Sequence, residues 1–288
     1  MNLQIGLLLG ISSLIFIGLG NAISKAPIKK FGPNRLMLWR GLMMAIILLL
    51  IVLATGQFVN FSLKYTLITV VISFIGYWPL YFFYKGMGLG KIGIISPVSS
   101  IYTIFTTFLA MAVYKERLSP LEMMAIAIIV IGVFLISISF RDFKNSHLFQ
   151  KSSGIYYALL AAVGWGIYFF LIKIPVIQMG SILTSFLEET IMLVIVLVIM
   201  AITREKITKP VYKDLKPVIA ISVLSVLGVL SYYQGIKIYS LSIMTALAAA
   251  VPLIVCLYGW LVYREKLTLK QYVAIGLIIF GIVLISLK

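Results

Sequence analysis

Apolar residues in this chain come in long blocks rather than in alternation. Runs of about 20 residues, almost free of charge, are separated by short polar stretches, and such a run crosses a hydrocarbon core of about 30 Å as a helix. The pattern predicts ten spans: Leu3–Ser24, Asn34–Thr55, Tyr65–Lys85, Ile92–Tyr114, Pro120–Phe140, Gly154–Ile174, Ser181–Ile202, Pro217–Ile238, Leu241–Tyr263 and Leu269–Leu287. The stretch Arg141–Ser153 carries Asp142, Lys144, Asn145, His147 and Lys151 and is too polar to enter lipid.

The spans repeat. Val113-Tyr114-Lys115-Glu116-Arg117-Leu118-Ser119 returns as Val262-Tyr263-Arg264-Glu265-Lys266-Leu267-Thr268, 149 residues later. Ser119 is followed by Glu122 and Thr268 by Gln271, the capping-box spacing, with Pro120 suited to a first helical position. The same offset joins Tyr84/Tyr233, Gly86/Gly235, Gly132/Gly281 and Ser137/Ser286. Earlier pairs are offset by 148: Gly6/Gly154, Gly18/Gly166, Lys25/Lys173, Pro27/Pro175 and Gly32/Gly180. The chain therefore divides into a first five-helix unit (1–140), a polar linker (141–153) and a second unit (154–288). Five spans is an odd number, so the second unit enters the membrane upside down, an arrangement typical of secondary transporters. Loop charge agrees with inversion. Lys25, Lys29, Lys30 and Arg35 follow span 1, whereas only Lys173 follows span 6; only Lys64 follows span 2, whereas Arg204, Lys206, Lys209, Lys213 and Lys216 follow span 7.

Composition narrows the class. The 288 residues are 62% hydrophobic and 11% charged, against about 25% charged in soluble domains. The net charge of +16 could suggest a nucleic-acid partner, but the basic residues sit in the connections between spans, where membrane topology puts them. The single cysteine, Cys256, lies in an apolar run, and no Cys/His metal spacing occurs, so neither a disulfide framework nor a bound metal or other cofactor is expected. Met1–Leu19 lacks a basic leader and reads as a first span rather than a cleaved signal peptide.

The paired turns Lys115-Glu116-Arg117-Leu118 and Arg264-Glu265-Lys266-Leu267 lead into Gly132- and Gly281-bearing helices. With Tyr84-Lys85-Gly86, Tyr233-Gln234-Gly235 and Trp165, they make the chain resemble the EamA-like branch of the drug/metabolite transporter superfamily. The resemblance covers essentially the whole chain. It implies a ten-helix carrier in which spans 1–4 and 6–9 surround a central cavity and spans 5 and 10 are peripheral. Members move amino acids, other metabolites, drugs or nucleotide-sugar-type solutes by alternating access. The family also implies cytoplasmic termini, whereas the basic residues, concentrated in the odd-numbered connections, favour termini outside.

Ionisable residues inside spans are expensive and usually face a protein interior. Arg40 and Glu188 are repeat-mates; Arg40 could snorkel to headgroups or face the cavity. The adjacent Glu188 and Glu189 point about 100° apart on a helix, so at least one is expected to line the cavity. There it could bind an amino group, carry a coupling proton, or form a structural ion pair with Arg40 or Lys173. Aromatics crowd Tyr77–Tyr84 and Trp165–Phe170, read either as an interfacial belt or as a cavity wall. The candidate cavity residues are Asn21, Arg40, Tyr77, Trp78, Tyr81, Ser99, Tyr102, Trp165, Tyr168, Glu188 and Glu189. Glu116 and Glu265 are expected to be architectural. Pro79, Pro97 and Pro252, inside spans, mark candidate bends.

These readings point to a secondary carrier, expected to export small organic solutes such as amino acids or related metabolites. The expected partners are the solute, the bilayer of a prokaryotic inner membrane and a coupling proton. The alternatives are a cationic-compound efflux carrier of the same fold and an intramembrane enzyme. No catalytic residue is expected: the only histidine, His147, is in the linker, and no base neighbours Cys256 in sequence. A G-x-x-x-x-G-K-[ST] phosphate loop is absent from the sequence.

Overall fold

In a computed structural model, residues 2–90, 92–137, 154–208, 210, 212–264 and 266–287 are described. The linker and Glu265 lie outside the described residues. Among those described, the chain is all helix with no strands. The helices are α1 (Asn2–Phe31), α2 (Pro33–Thr55), α3 (Leu63–Leu89), α4 (Ile92–Ser99), α5 (Tyr102–Val113) and α6 (Pro120–Ser137). The second half supplies α7 (Ile155–Met179), α8 (Ser181–Ile202), α9 (Tyr212–Ile238), α10 (Leu241–Ala249), α11 (Val251–Tyr263) and α12 (Leu269–Ser286). Nine segments among the described residues are long and apolar enough to cross a membrane, counting α5 with the end of α4 and α10 with α11 as one each; Pro120–Ile136 is a shorter apolar helix. These are ten spans in two five-span repeats.

Packing obeys one two-fold relation. Span 1 packs on span 8 as span 6 packs on span 3, and span 2 lies on span 7 as span 5 lies on span 10. A Cβ on Gly132 would approach Ala274 O to 3.0 Å and Ile278 N to 3.1 Å; on its mate Gly281 it would approach Ala125 O to 3.0 Å and Ile129 N to 3.3 Å. Contacts running from 129 to 132 on one helix run from 281 down to 274–278 on the other, so spans 5 and 10 are antiparallel. Repeat-mates that pack antiparallel are related by an axis perpendicular to the helices, and that is an inverted repeat. The same relation holds elsewhere: Gly18 meets Ile254 as Gly166 meets Phe105. Glycine at these sites lets the helices approach closely.

The structure differs from the sequence reading at the ends of spans 1 and 6 and in the continuity of spans 4 and 9. Helices α1 and α7 run beyond Pro27 and Pro175 to Phe31 and Met179. They stop at Gly32 (φ 77, ψ 170) and Gly180 (φ 86, ψ 164), in a backbone region open essentially to glycine alone. Spans 4 and 9, expected as continuous helices, are each broken, between Ser99 and Tyr102 and at Ala250. Pro97 and Pro252 adjoin the breaks, where a missing N–H loosens the ladder, whereas Pro79 sits inside the continuous α3. The capping boxes form as the spacing predicts. Ser119 N donates to Glu122 Oε2 at 2.7 Å and Thr268 N to Gln271 Oε1 at 2.9 Å, with each hydroxyl accepting from the third helical N–H at 3.3 Å.

Candidate functional site, a cavity between the repeats

Spans 1–4 and 6–9 enclose a cavity of about 150 Å³, and none of its lining residues comes from spans 5 or 10. Those two spans pack on each other instead and share one apolar core with α1, α10 and α11. The broken spans 4 and 9 deliver their discontinuities to the wall. Ser96, Ser99, Ser100 and Tyr102 line it on one side, Ala248 and Val251 on the other. Irregular backbone at membrane depth is tolerated where it is buried in protein or lines a cavity.

One wall is aromatic. Phe83 lies on Trp165 with centroids 4.9 Å apart, Tyr102 on Phe169 at 4.8 Å, and Phe169 on Tyr232 at 5.2 Å. Tyr102 also meets Trp165 edge-on at 5.9 Å, so the rings form a continuous surface. Tyr232 is pinned by Thr245, whose Oγ1 lies 2.8 Å from the phenol oxygen. Rings of this kind offer large contact area at low entropic cost and a negative face to a cation.

The ionic groups adjoin this surface, since Tyr168 meets Phe169 with ring centroids 5.1 Å apart and Tyr233 meets Tyr232 at 6.1 Å. Arg40 is 8% exposed and so does not snorkel. Its Nη2 meets Glu189 Oε1 at 3.0 Å, Nη1 donates to Tyr84 OH at 3.0 Å, and Nε points at Met44 Sδ at 3.1 Å. Glu188, 5% exposed, makes no contact of this kind with Arg40. It accepts from Tyr168 OH on Oε1 and from Tyr233 OH on Oε2, and the two phenol oxygens lie 2.6 Å apart. The repeat explains the layout. Arg40 and Glu188 are mates, Tyr84 and Tyr233 are mates, and each repeat sets an ionisable residue of its second span against a tyrosine of its third. Glu189 breaks the symmetry, because its mate is Gly41.

Of the sequence candidates, Asn21, Arg40, Ser99, Tyr102, Trp165, Tyr168, Glu188 and Glu189 line the cavity. Tyr77, Trp78 and Tyr81 do not. The cavity face of α3 is Gly76, Leu80, Phe83 and Tyr84, a helical stripe at i, i+4, i+7 and i+8; a side chain one position further points about 100° away. Tyr77 is buried elsewhere, donating to Asn34 Oδ1 at 2.8 Å. Trp78 is 41% exposed on the outer surface. Tyr81 lies beneath the Lys85 ammonium, 5.6 Å from the ring centroid. The lining residues that sequence reasoning left off its candidate cavity set include Tyr84, Tyr232 and Tyr233. The signal existed for two of them, since Tyr84 and Tyr233 are repeat-mates as Arg40 and Glu188 are.

Polar clusters tie the bundle together at both ends. At one, Asn34 Nδ2 donates to Glu205 Oε2 at 2.9 Å, Trp39 Nε1 to Thr208 O at 3.0 Å, and Lys30 pairs with Asp214 at 2.6 Å. At the other, Glu116 pairs with Lys173 at 2.7 Å and caps α10, accepting from Leu241 N at 2.9 Å, Ser242 N at 3.2 Å and Ser242 Oγ at 2.8 Å. Burial pushes the Glu116 carboxyl up, but the Lys173 ammonium and the backbone and hydroxyl donors of α10 outweigh it and hold the group below its ordinary value. A carboxylate at a helix N-terminus is also favoured by the helix dipole.

Comparison with known proteins agrees with this architecture. The chain is 34% identical over 139 residues to an uncharacterized protein of Methanocaldococcus jannaschii, covering 46% of this chain and 96% of that one. It is 20% identical over 205 residues to an uncharacterized transporter of Archaeoglobus fulgidus, covering 71% of this chain and 70% of the relative. A solved crystal structure matches its fold with a TM-score of 0.79 at 16% identity, over 98% of this chain and 96% of that one. The model of the EamA-like transporter family matches twice, over residues 4–138 and 152–287, and this chain, with its two antiparallel five-span repeats, belongs to that family.

Proposed function

We propose that the protein is a secondary carrier of small organic solutes that bear an amino group, such as amino acids or related metabolites, and that it exports them by alternating access across a prokaryotic inner membrane. The observation that carries this reading is the cavity itself: about 150 Å³, bounded by all eight central spans of the two inverted repeats, and lined by two carboxylates and by aromatic rings in tilted and edge-on contact. A cavity of that kind suits a solute with an apolar or aromatic body and a polar, positively charged head. The pseudo-two-fold relation supports alternating access, because two equivalent repeats can exchange outward- and inward-facing arrangements around a fixed site. Archaeal relatives support a prokaryotic setting. An efflux carrier for cationic compounds is the second reading, favoured by the buried carboxylate pair.

The experiment is counterflow in proteoliposomes without nucleotide. Vesicles preloaded with one of a panel of unlabelled amino acids and amines are diluted into trace labelled solute. Transient accumulation of at least one solute, absent from protein-free vesicles, is the expected result. No counterflow with any panel member in correctly folded protein would overturn the reading.

A further inference from the structure

We propose that Glu188, Tyr168 and Tyr233 form a closed proton-binding ring, and that a cationic head entering the cavity displaces the proton from Glu188. This rests on the carrier reading above and assigns its coupling ion and solute class.

The ring has three oxygen–oxygen contacts: Tyr168 OH with Glu188 Oε1, Tyr233 OH with Glu188 Oε2, and the two phenols with each other at 2.6 Å. Each contact needs one hydrogen. Neutral phenols supply two. With an ionised Glu188 both phenol hydrogens are drawn to the carboxylate, leaving two phenol oxygens facing each other at 2.6 Å with lone pairs only. A third proton, on Glu188, closes the cycle: the carboxylic acid donates to one phenol, that phenol to the other, and the second phenol back to the remaining carboxyl oxygen. Each group then donates once and accepts once, as a buried polar cluster requires.

Charge balance gives the same answer independently. The groups facing Glu188 are Tyr168 from α7, Tyr233 from α9, Arg40 with its partner Tyr84 from α2 and α3, and Glu189 on its own helix. Arg40 and Glu189 neutralise each other at 3.0 Å. Among the described residues lining the cavity Arg40 is the one cationic side chain, so an ionised Glu188 would leave a net buried negative charge. A proton removes that cost. A solute cation removes it equally well, and that makes the two ligands alternatives. The exchange is balanced: protonated Glu188 plus the incoming cation gives carboxylate paired with the cation, and the proton leaves to water on the side to which the cavity is open.

Infrared spectroscopy of the purified protein in lipid tests the ring without requiring a known substrate. At pH 7 the wild type is expected to show a protonated-carboxylic-acid C=O stretch that disappears in E188Q and shifts in Y168F and Y233F. No Glu188-dependent band in the folded wild type at pH 7 would overturn the proton site, and the tyrosine variants keep the test informative if E188Q folds poorly. The exchange is tested by adding phenyltrimethylammonium, which cannot cross a membrane as a neutral base, and 2-phenylethylamine. Loss of the band with proton release to a weakly buffered medium is expected. A band unmoved by saturating amounts of both probes would overturn the exchange. Failure of counterflow with every solute, alongside an intact band, would instead count against the carrier reading and leave the ring standing.

Discussion

The Arg40–Glu189 pair offers a quantitative test of how the cavity wall is held. Both side chains are nearly enclosed, with side-chain exposures of 10% and 6%, and the charged atoms are 3.0 Å apart. At an effective dielectric near 20 their attraction is about 5 kcal/mol, a large part of which offsets the cost of taking both ions out of water. Removing one partner is different from removing the pair. Glu189→Gln leaves the Arg40 guanidinium without its ion-pair partner beside Tyr84 OH and Met44 Sδ, and Arg40→Met leaves Glu189 as an unpaired carboxylate beside Glu188. Stranded buried charges of this kind cost about 3–5 kcal/mol. Each single variant should lose about that much stability, whereas the double variant should lose far less than the sum. The assay is unfolding in mild detergent, analysed as a double-mutant cycle. Additive losses would refute the reasoning, because they would mean the two side chains do not see each other.

Three further outcomes follow from particular residues. Gly180→Ala should destabilise by about 1–3 kcal/mol, since its φ of 86 and ψ of 164 lie where an L-residue is strained, and unchanged unfolding would show that the turn tolerates a side chain. Gly281→Leu should push spans 5 and 10 apart, because even a Cβ there meets Ala125 O at 3.0 Å; the expected loss of about 1–3 kcal/mol is read by thermal unfolding, with counterflow per folded molecule largely kept. Glu116→Gln should cost about 2 kcal/mol near neutral pH through the lost ionic cap. The folded Glu116 carboxyl titrates below its ordinary value of 4.5, so its contribution is complete above that value and fades as pH falls below it. The wild-type advantage over Glu116→Gln should therefore shrink only at acid pH. An advantage that shrank on raising the pH would contradict the assignment.

The architecture was legible because hydrophobic length and internal repetition are coarse signals that survive local detail. The offsets joining Gly132 to Gly281 and Glu116 to Glu265 define the two units, and Gly132 and Gly281 each sit where spans 5 and 10 approach closely. The breaks in spans 4 and 9 were not legible from Pro97 and Pro252 alone, because Pro79 carries the same local signal and sits inside the unbroken α3. Proline removes one hydrogen bond, and packing decides whether the ladder opens around it. The candidate site was partly legible. Arg40, Glu188 and Glu189 stood out as ionisable residues in apolar runs, and cost alone directs such groups inward. The aromatic stretch misled at Tyr77, Trp78 and Tyr81 because ring density reports neither helix phase nor which face a neighbouring span covers. Tyr233 was missed although it repeats Tyr84, because the pair was read as architecture and never matched to Arg40 and Glu188.

The central claim is that one cavity between inverted repeats is reached from either side of the membrane in turn. Ser225 lines that cavity on span 8, and Cys256 is the chain's single cysteine, so Ser225→Cys in a Cys256→Ser background gives one reporter thiol. Sided labelling with a membrane-impermeant thiol reagent, applied to oriented vesicles first from one face and then from the other, measures access directly. The account predicts labelling from both faces, with a transported solute lowering the rate from each. Labelling from a single face under every condition, in protein that still carries out counterflow, would contradict it.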